Sequence, residues 1–166
     1  MRARRLEPVS AEFVDTAPLR LVFGGRVAAS PRAVYSALVE EAESYGDWFL
    51  GVRRVLTVPA AGVSGPATRH VWLAGGVRCA ETVLAADPGQ RYLYRVDEMT
   101  APGVRALLEE WRLAPAGAGT RVRWTVAVDA GPATRLALHL ARPAASSLFR
   151  RSLRTLQTRL RGDWGP

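Results

Sequence analysis

Short segments with strand character follow one another from residue 52 to residue 130, and turn-forming residues separate them. The clearest turns are Gly75-Gly76 and Asp87-Pro88-Gly89, because glycine accepts the positive φ angles of tight hairpins. Consecutive strands joined by short turns pair antiparallel. The pattern therefore predicts about six consecutive strands in one antiparallel sheet, with a flexible connection at 60–66 after a strand that ends at Pro59.

Helical signals lie on both sides of this region. An apolar segment at 19–29 predicts a first strand, and Ser30 followed by Pro31 predicts the start of a helix that ends near Gly46. The C-terminal segment is typical of a long amphipathic helix, with a kink or break expected at Pro143. Its apolar stripe consists of Leu136, Leu140, Phe149, Leu153, Leu156 and Leu160. This order predicts an α+β fold in which a curved sheet grips the long helix.

Composition narrows the classes of protein. The chain has 166 residues, the size of one domain. Its single cysteine, Cys79, excludes an intrachain disulfide and a cysteine-based zinc cage, and two histidines far apart in sequence give little support to a metal site. The N-terminal residues do not resemble a secretory signal, and no apolar stretch approaches the roughly 20 residues of a membrane-spanning helix. We expect a cytoplasmic protein without stable membrane insertion.

The net charge of +8 raises the question of a nucleic-acid partner. All 23 basic residues are arginine, and they are spread over the strands and the C-terminal segment instead of forming one run. This distribution is typical of a solvated face, so we expect no nucleic-acid partner. An arginine-rich tail helix that binds an acidic partner or a membrane surface is a further hypothesis, and the sequence leaves a homodimer open.

Three stretches carry a family resemblance. They are ASPRAVYSALVEEAESYGDWFLGVRRV, ETVLAADPGQRYLYRV and EEWRLAPAGAGTRVRWTVAVD. The chain resembles the START-like or SRPBCC superfamily over residues 19–161, and within it the polyketide cyclase/dehydrase group. The resemblance implies a helix-grip fold: a seven-stranded antiparallel sheet around the C-terminal helix, with an internal cavity for lipids, sterols, hormones or polyketides. Residues 1–18 then form an N-terminal extension before a single domain.

The strand faces indicate which side chains point into such a cavity. Side chains alternate along a strand, and Cys79 shares a mostly apolar face with Glu81. The matching faces of the following strands carry Tyr92 and Tyr94, then Glu109 and Trp111, then Trp124. Trp72 and His70 are further candidates on their own strand, and Glu98 falls on the predicted face as well. The predicted ligand-binding set is therefore Glu81, Tyr92, Tyr94, Glu109, Trp111, Trp124, Trp72 and His70.

Each candidate has a structural alternative. Glu81 and Glu109 are either cavity carboxylates with raised pKa values or members of structural pairs with a neighbouring arginine. The aromatic side chains suit a flat hydrophobic ligand, but core packing against the helix uses the same residue types. His70 is either a proton carrier or a surface residue. Because one residue of slip in strand register would turn every candidate outward, the set depends on the assumed register.

Two functions follow from these expectations. The first is the binding of a small hydrophobic, lipid- or polyketide-like ligand between the sheet and the C-terminal helix. The alternative is a polyketide cyclase/dehydratase that acts in the same cavity and uses Glu81, Glu109, Tyr92 or His70 for proton transfer. We find no phosphate-binding loop, nucleophile elbow or nucleotide fingerprint in the sequence, and we expect no cofactor.

Overall fold

The computed structural model of the protein describes residues 2–58 and 67–162, so the predicted connection at 60–66 lies outside the described residues. In these ranges the chain forms strands and one long helix, an α+β fold. The strands are β1 (Arg4–Arg5), β2 (Leu19–Val27), β3 (Val52–Val58), β4 (Thr68–Leu73), β5 (Arg78–Asp87), β6 (Arg91–Met99), β7 (Val104–Ala116) and β8 (Gly119–Ala130). The α-helices are α1 (Phe13–Thr16), α2 (Pro31–Tyr35), α3 (Tyr45–Trp48) and α4 (Pro132–Gly162).

The sheet is antiparallel throughout, and its strands lie in the order β2-β8-β7-β6-β5-β4-β3. The strands β3 to β8 are therefore neighbours in sequence and in space, which confirms the six consecutive antiparallel strands. Gly75 and Gly76 form the turn between β4 and β5 with φ angles of 80° and 79°. That turn is the predicted glycine hairpin.

The N-terminal segment packs against the sheet. β6 pairs with β7 only up to Val96, and β1 pairs with β6 beyond that point, opposite Glu98 and Met99. Val14 of α1 is buried against the outer face of the sheet. It contacts a small apolar cluster of Leu93, Leu108 and Ala127. Within the segment expected as an extension, α1 thus covers part of the face that is turned away from α4, while Leu6 joins the main core.

α4 lies across the inner face of the sheet and buries Phe149, Leu153 and Leu156 there. The predicted long helix and its grip by the sheet are confirmed, but the predicted stripe is buried only in its later part, because Leu136 and Leu140 are exposed. The helix runs through Pro143 without the expected break, and the ring of Pro143 is exposed. Within residues 2–58 and 67–162, none of the helices combines the length and the apolar character that crossing a membrane requires.

The segment between β2 and β3 begins as predicted but ends later. The Ser30 hydroxyl oxygen accepts a hydrogen bond from the backbone N–H of Ala33, and Pro31 follows as the first helical residue. Gly46 does not end the helical segment, which continues through π-helical and 3-10 turns into α3. A Cβ at residue 46 would lie 3.0 Å from the carbonyl oxygen of Arg53, so the glycine instead allows α3 to approach β3.

Candidate ligand-binding cavity

A cavity of about 310 Å³ lies between the inner face of the sheet, α3 and α4. Most of its surface is apolar, and its polar groups come from α3 and from the strands β4 to β8. The lining residues used below are Tyr45, Arg69, Cys79, Glu81, Tyr94, Glu109, Trp124 and Leu148. A concave apolar site with a few convergent polar groups is the usual form of a small-molecule site in proteins.

Arg69 and Glu81 form a buried ion pair in the wall of this cavity. The two residues lie directly opposite each other on β4 and β5, and both side chains point inward. Nε and Nη2 of Arg69 donate to the same oxygen, Oε2 of Glu81, at 3.1 and 2.7 Å. The relative exposures of the two side chains are only 5% and 7%. Glu81 is therefore the partner of a neighbouring arginine, the structural alternative given above.

Three tyrosine rings surround the Arg69 guanidinium. Its carbon Cζ lies 4.6 Å from the ring centre of Tyr94, 5.1 Å from that of Tyr92 and 5.9 Å from that of Tyr45. Within the described parts of the chain, Nη1 of Arg69 is buried without a hydrogen-bond partner. Cation–π contacts stabilise a desolvated guanidinium. Burial lowers the pKa of Arg69, but the charge of Glu81 and the three tyrosines raise it by more than burial lowers it. The net shift is therefore upward, and the guanidinium stays charged.

Glu109 is the centre of a second polar cluster. The hydroxyl of Tyr94 donates to Oε2 of Glu109 at 2.6 Å, and the indole Nε1–H of Trp124 donates to the same oxygen at 2.9 Å. The indole of Trp111 donates to the Tyr94 hydroxyl at 3.4 Å. The hydroxyl therefore accepts from one side and donates to the carboxylate on the other. This chain of hydrogen bonds fixes Oε2 as the acceptor end of the network.

The pKa of Glu109 is raised from its ordinary value of 4.5 to about 7. Burial is the main cause, and the nearby charge of Glu81 adds to it, while the hydrogen bonds from Tyr94 and Trp124 and the charge of Arg69 oppose the shift. A carboxyl group with this pKa changes its protonation state at neutral pH. Burial also raises the pKa of Glu81, and there Arg69 opposes the rise.

The predicted aromatic residues divide between the cavity and the core. Trp124 lines the cavity, whereas Trp111 is 1% exposed and stacks on Trp124 at a centroid distance of 5.4 Å. Tyr92 is 2% exposed and packs beside Tyr94. Burial raises the pKa of Tyr92 to about 12, so its hydroxyl stays protonated at neutral pH. Trp111 and Tyr92 thus support the cavity wall from behind.

His70 and Trp72 lie on the outer face of β4, which corrects the expectation that they point into the cavity. The side chains of Arg69, Val71 and Leu73 point inward, and those of His70 and Trp72, which alternate with them, point outward. His70 is exposed, and Trp72 packs against the guanidinium of Arg54 at 5.3 Å. The more aromatic face of β4 is thus its outer face.

Glu98 also lies outside the cavity, because β6 contains an irregularity. Ala80 pairs with Glu98 but the next residue, Glu81, pairs with Val96, so Asp97 is an extra residue in β6. A bulge of this kind reverses the alternation of side chains beyond it. Met99 consequently lines the cavity, and Glu98 forms an outer-face contact with Arg5 at 3.7 Å.

Several lining residues were missed by the sequence analysis. The sequence does not predict Arg69, because the aromatic pair His70 and Trp72 favours the opposite face of β4 as the inward one. The available signal was Val71, which shares its face with Arg69. Tyr45, Phe49 and other residues of the α3 region belong to irregular helical turns, whose inward positions follow from no simple period.

Metal-binding geometry is not apparent in the described residues: no group of three or more histidine, cysteine, aspartate or glutamate side chains there could hold an ion. Cys79 lies in the cavity wall as a free, buried thiol. Burial raises its pKa to about 12, so the thiol is protonated and a poor nucleophile at neutral pH.

The sheet, the gripped helix and the cavity between them define a START-like helix-grip protein. The same fold occurs in solved structures: XoxI from Bacillus cereus (TM-score 0.67, 15% identity, 89% of this chain and 99% of that one) and a START superfamily protein from Mycobacterium smegmatis (TM-score 0.61, 13% identity, 86% and 97%). The chain belongs to the family described as polyketide cyclase / dehydrase and lipid transport, whose sequence profile matches residues 25–161.

Mycobacterial proteins are similar over almost the whole chain. Uncharacterized protein Rv2574 from Mycobacterium tuberculosis is 29% identical over 152 residues, which cover 91% of this chain and 90% of that protein. Uncharacterized protein Mb2604 from Mycobacterium bovis gives the same values. The likeness therefore includes both the sheet and the C-terminal helix.

Proposed function

We propose that the protein binds a small hydrophobic ligand in the cavity between the sheet and α4. The observation that supports this most directly is the distribution of polarity in the cavity: apolar walls surround one polar region that holds Arg69, Glu81 and Glu109. Burial of apolar surface provides the affinity, and the few polar groups orient the ligand. The family description, which includes lipid transport, supports the same function.

The opening of the cavity supports access for such a ligand. Leu50 and Leu148 belong to the lining and are also partly exposed, at 42% and 36%. They come from the end of the α3 region and from α4, so these two elements frame an apolar entrance. A hydrophobic molecule thus meets apolar side chains on its way to the polar region.

A cavity-filling substitution tests the proposal. Val71→Trp places an indole in the space between β4 and α4, and we expect it to weaken binding of the neutral fluorescent probe N-phenyl-1-naphthylamine by about tenfold or more. His70→Trp is the matched control, because the side chain of His70, next to Val71 in sequence, points outward and is exposed. Fluorescence titration measures both, with thermal melts to show that each variant is folded. Equal probe affinity in Val71→Trp and the wild type would contradict the proposal.

A second experiment identifies the natural ligand. Protein purified from the cells in which it is normally made is examined by native mass spectrometry, and any passenger is extracted and identified. We expect a hydrophobic molecule at stoichiometric or substoichiometric occupancy. The expected cytoplasmic location and the homodimer stay predictions, which cell fractionation and the mass of the native complex address.

One observation favours the cyclase/dehydratase as a second candidate function. Glu109 has a pKa of about 7, a value suited to giving and taking protons at neutral pH, and it contacts the Tyr94 hydroxyl. If the protein is such an enzyme, Glu109→Gln lowers the rate at which a synthetic poly-β-ketone thioester loses water and becomes aromatic. The absorbance of the aromatic product measures this rate. A rate equal to that of the uncatalysed reaction, with the wild-type protein present, would argue against the enzyme.

A further inference from the structure

The polar region of the cavity carries an unbalanced charge. Arg69 and Glu81 neutralise each other, but Glu109 forms no ion pair with any of the described residues. Its hydrogen-bond donors, the Tyr94 hydroxyl and the Trp124 indole, are both uncharged. When Glu109 is ionised, the region therefore has a net charge of about −1 in apolar surroundings.

One oxygen of Glu109 is left for a ligand. Both hydrogen bonds to the carboxylate use Oε2, and a carboxylate oxygen accepts roughly two hydrogen bonds. No hydrogen bond to Oε1 is seen within residues 2–58 and 67–162, and Glu109 lines the cavity and retains accessible surface. Oε1 of Glu109 is thus an open acceptor in the cavity, or the place where a proton is held. Oε1 of Glu81 also accepts no hydrogen bond from the described residues, but the charge of that carboxylate is already balanced by Arg69.

We propose, on the basis of the ligand-binding function above, that the ligand is an uncharged hydrophobic molecule with a hydroxyl group that donates a hydrogen bond to Oε1 of Glu109. A hydroxyl satisfies the acceptor without adding charge to the cavity. A carboxylate at this position would meet the uncompensated negative charge of Glu109 at short range, so the site discriminates against free acids. An alcohol or a phenol fits this chemistry.

The groups that face Glu109 determine how binding depends on pH. Because burial raises the pKa of Glu109 to about 7, its ionised, acceptor form becomes the major form above neutral pH. Burial also raises the pKa of the Tyr94 and Tyr45 hydroxyls well above their ordinary range, so neither ionises near neutral pH. The charged and titratable groups that line the cavity with Glu109 are Arg69 on β4, Cys79 and Glu81 on β5, Tyr94 on β6 and Tyr45 on α3. The lining residues from β8 and α4, Trp124 and Leu148, do not titrate.

Three matched probes test the inference: 2-naphthol donates a hydrogen bond, 2-methoxynaphthalene has no donor, and 2-naphthoate is an anion. Their affinities are measured by displacement of N-phenyl-1-naphthylamine at pH 6, 7 and 8, where 2-naphthol stays un-ionised. We expect the affinity for 2-naphthol to rise about five- to tenfold from pH 6 to pH 8, in step with the ionised fraction of Glu109. The affinity for 2-methoxynaphthalene is expected to stay constant, and 2-naphthoate is expected to bind most weakly at pH 8.

Variants assign the effect to one carboxyl group. Glu109→Gln is expected to abolish the pH dependence for 2-naphthol and to narrow its advantage over 2-naphthoate. Glu110→Gln is the matched control, because this neighbouring carboxylate points to the other face of β7, where it accepts hydrogen bonds from Arg91 and Arg112. It should retain the wild-type pH profile.

The outcomes separate this inference from the function on which it rests. Binding of 2-methoxynaphthalene as tight as that of 2-naphthol at pH 8, or an unchanged pH profile in Glu109→Gln, overturns the hydroxyl assignment and leaves ligand binding intact. Failure of every probe, including N-phenyl-1-naphthylamine, overturns both. The comparison of the probes on the wild-type protein decides the matter even if Glu109→Gln does not fold.

Discussion

Arg69 and Glu81 show how two buried charges are accommodated in the wall of this cavity. A buried arginine is tolerated because a carboxylate accepts two of its N–H groups and three tyrosine rings cover its faces. Replacing both members of such a pair by apolar residues is often harmless, whereas removing one leaves an unpaired buried charge. Comparing the stability of a single variant with that of the double variant therefore separates the cost of an unpaired buried charge from the net contribution of the ion pair.

At this scale we predict that Glu81→Gln lowers the free energy of unfolding by about 3 kcal/mol or more, because it leaves Arg69 charged, buried and without a counter-ion. The double variant Arg69→Met/Glu81→Leu is expected to recover much of that loss. Urea denaturation measures both. Asp15→Asn, which removes a largely exposed partner of Arg20, is the control and should change little. A Glu81→Gln protein as stable as the wild type would show that the pair contributes nothing.

The sequence predicted part of this site for clear physical reasons. Glu81, Tyr94, Glu109 and Trp124 were placed inward correctly because alternation holds wherever a strand is regular. Glu98 was placed wrongly because a bulge reverses alternation, and nothing in the composition of β6 announces the extra residue. Pairing between Arg69 and Glu81 depends on the register of β4 and β5, which the sequence did not specify.

At the scale of elements, glycine positions control how closely the parts approach one another. The backbone of Gly119, at the start of β8, lies against the carbonyl oxygen of Val27 at the end of β2. Gly25 on β2 has a similar role, because a Cβ there would overlap the side chain of Leu153 on α4. A Cβ at residue 119 would meet backbone, whereas a Cβ at residue 25 would meet the flexible end of a side chain. The surroundings of residue 25 therefore accommodate an added methyl group more easily.

We predict that Gly119→Ala destabilises the protein by about 2 kcal/mol or more, because the carbonyl of Val27 is held in the sheet and cannot move away. Gly25→Ala should cost less, since Leu153 has other rotamers. Gly162→Ala is the control, with open space around the position of the new Cβ. Thermal melts rank the three variants, and a Gly25→Ala loss larger than that of Gly119→Ala would contradict the argument.

At the scale of the whole molecule, the sheet has a core on each face. α4 covers the inner face and the cavity, while α1 covers a small apolar cluster on the outer face. The sequence indicated the first core through the leucine stripe of the tail, but it gave no comparable signal for α1, which has only four residues. A helix that short has no amphipathic period, so its packing becomes visible only in three dimensions.

We predict that Val14→Ala lowers the unfolding free energy by about 2 kcal/mol and the melting temperature by about 4–8 °C, because it leaves a void on the outer face. Val58→Ala makes the same chemical change at a residue that is 40% exposed and should have little effect. Calorimetry measures both variants. If Val14→Ala melts like the wild type, the N-terminal segment contributes little to the stability of the domain.

The hydrogen bond from the Trp124 indole to Glu109 has a spectroscopic consequence. An indole proton that is shared with a carboxylate resonates at a different frequency when the carboxylate gains a proton. The chain has five tryptophans, so a nitrogen-15 correlation spectrum contains few indole signals, and that of Trp124 reports the ionisation of Glu109. One NMR titration of nitrogen-15-labelled wild-type protein thus follows the ionisation of the cavity carboxylate without any added ligand.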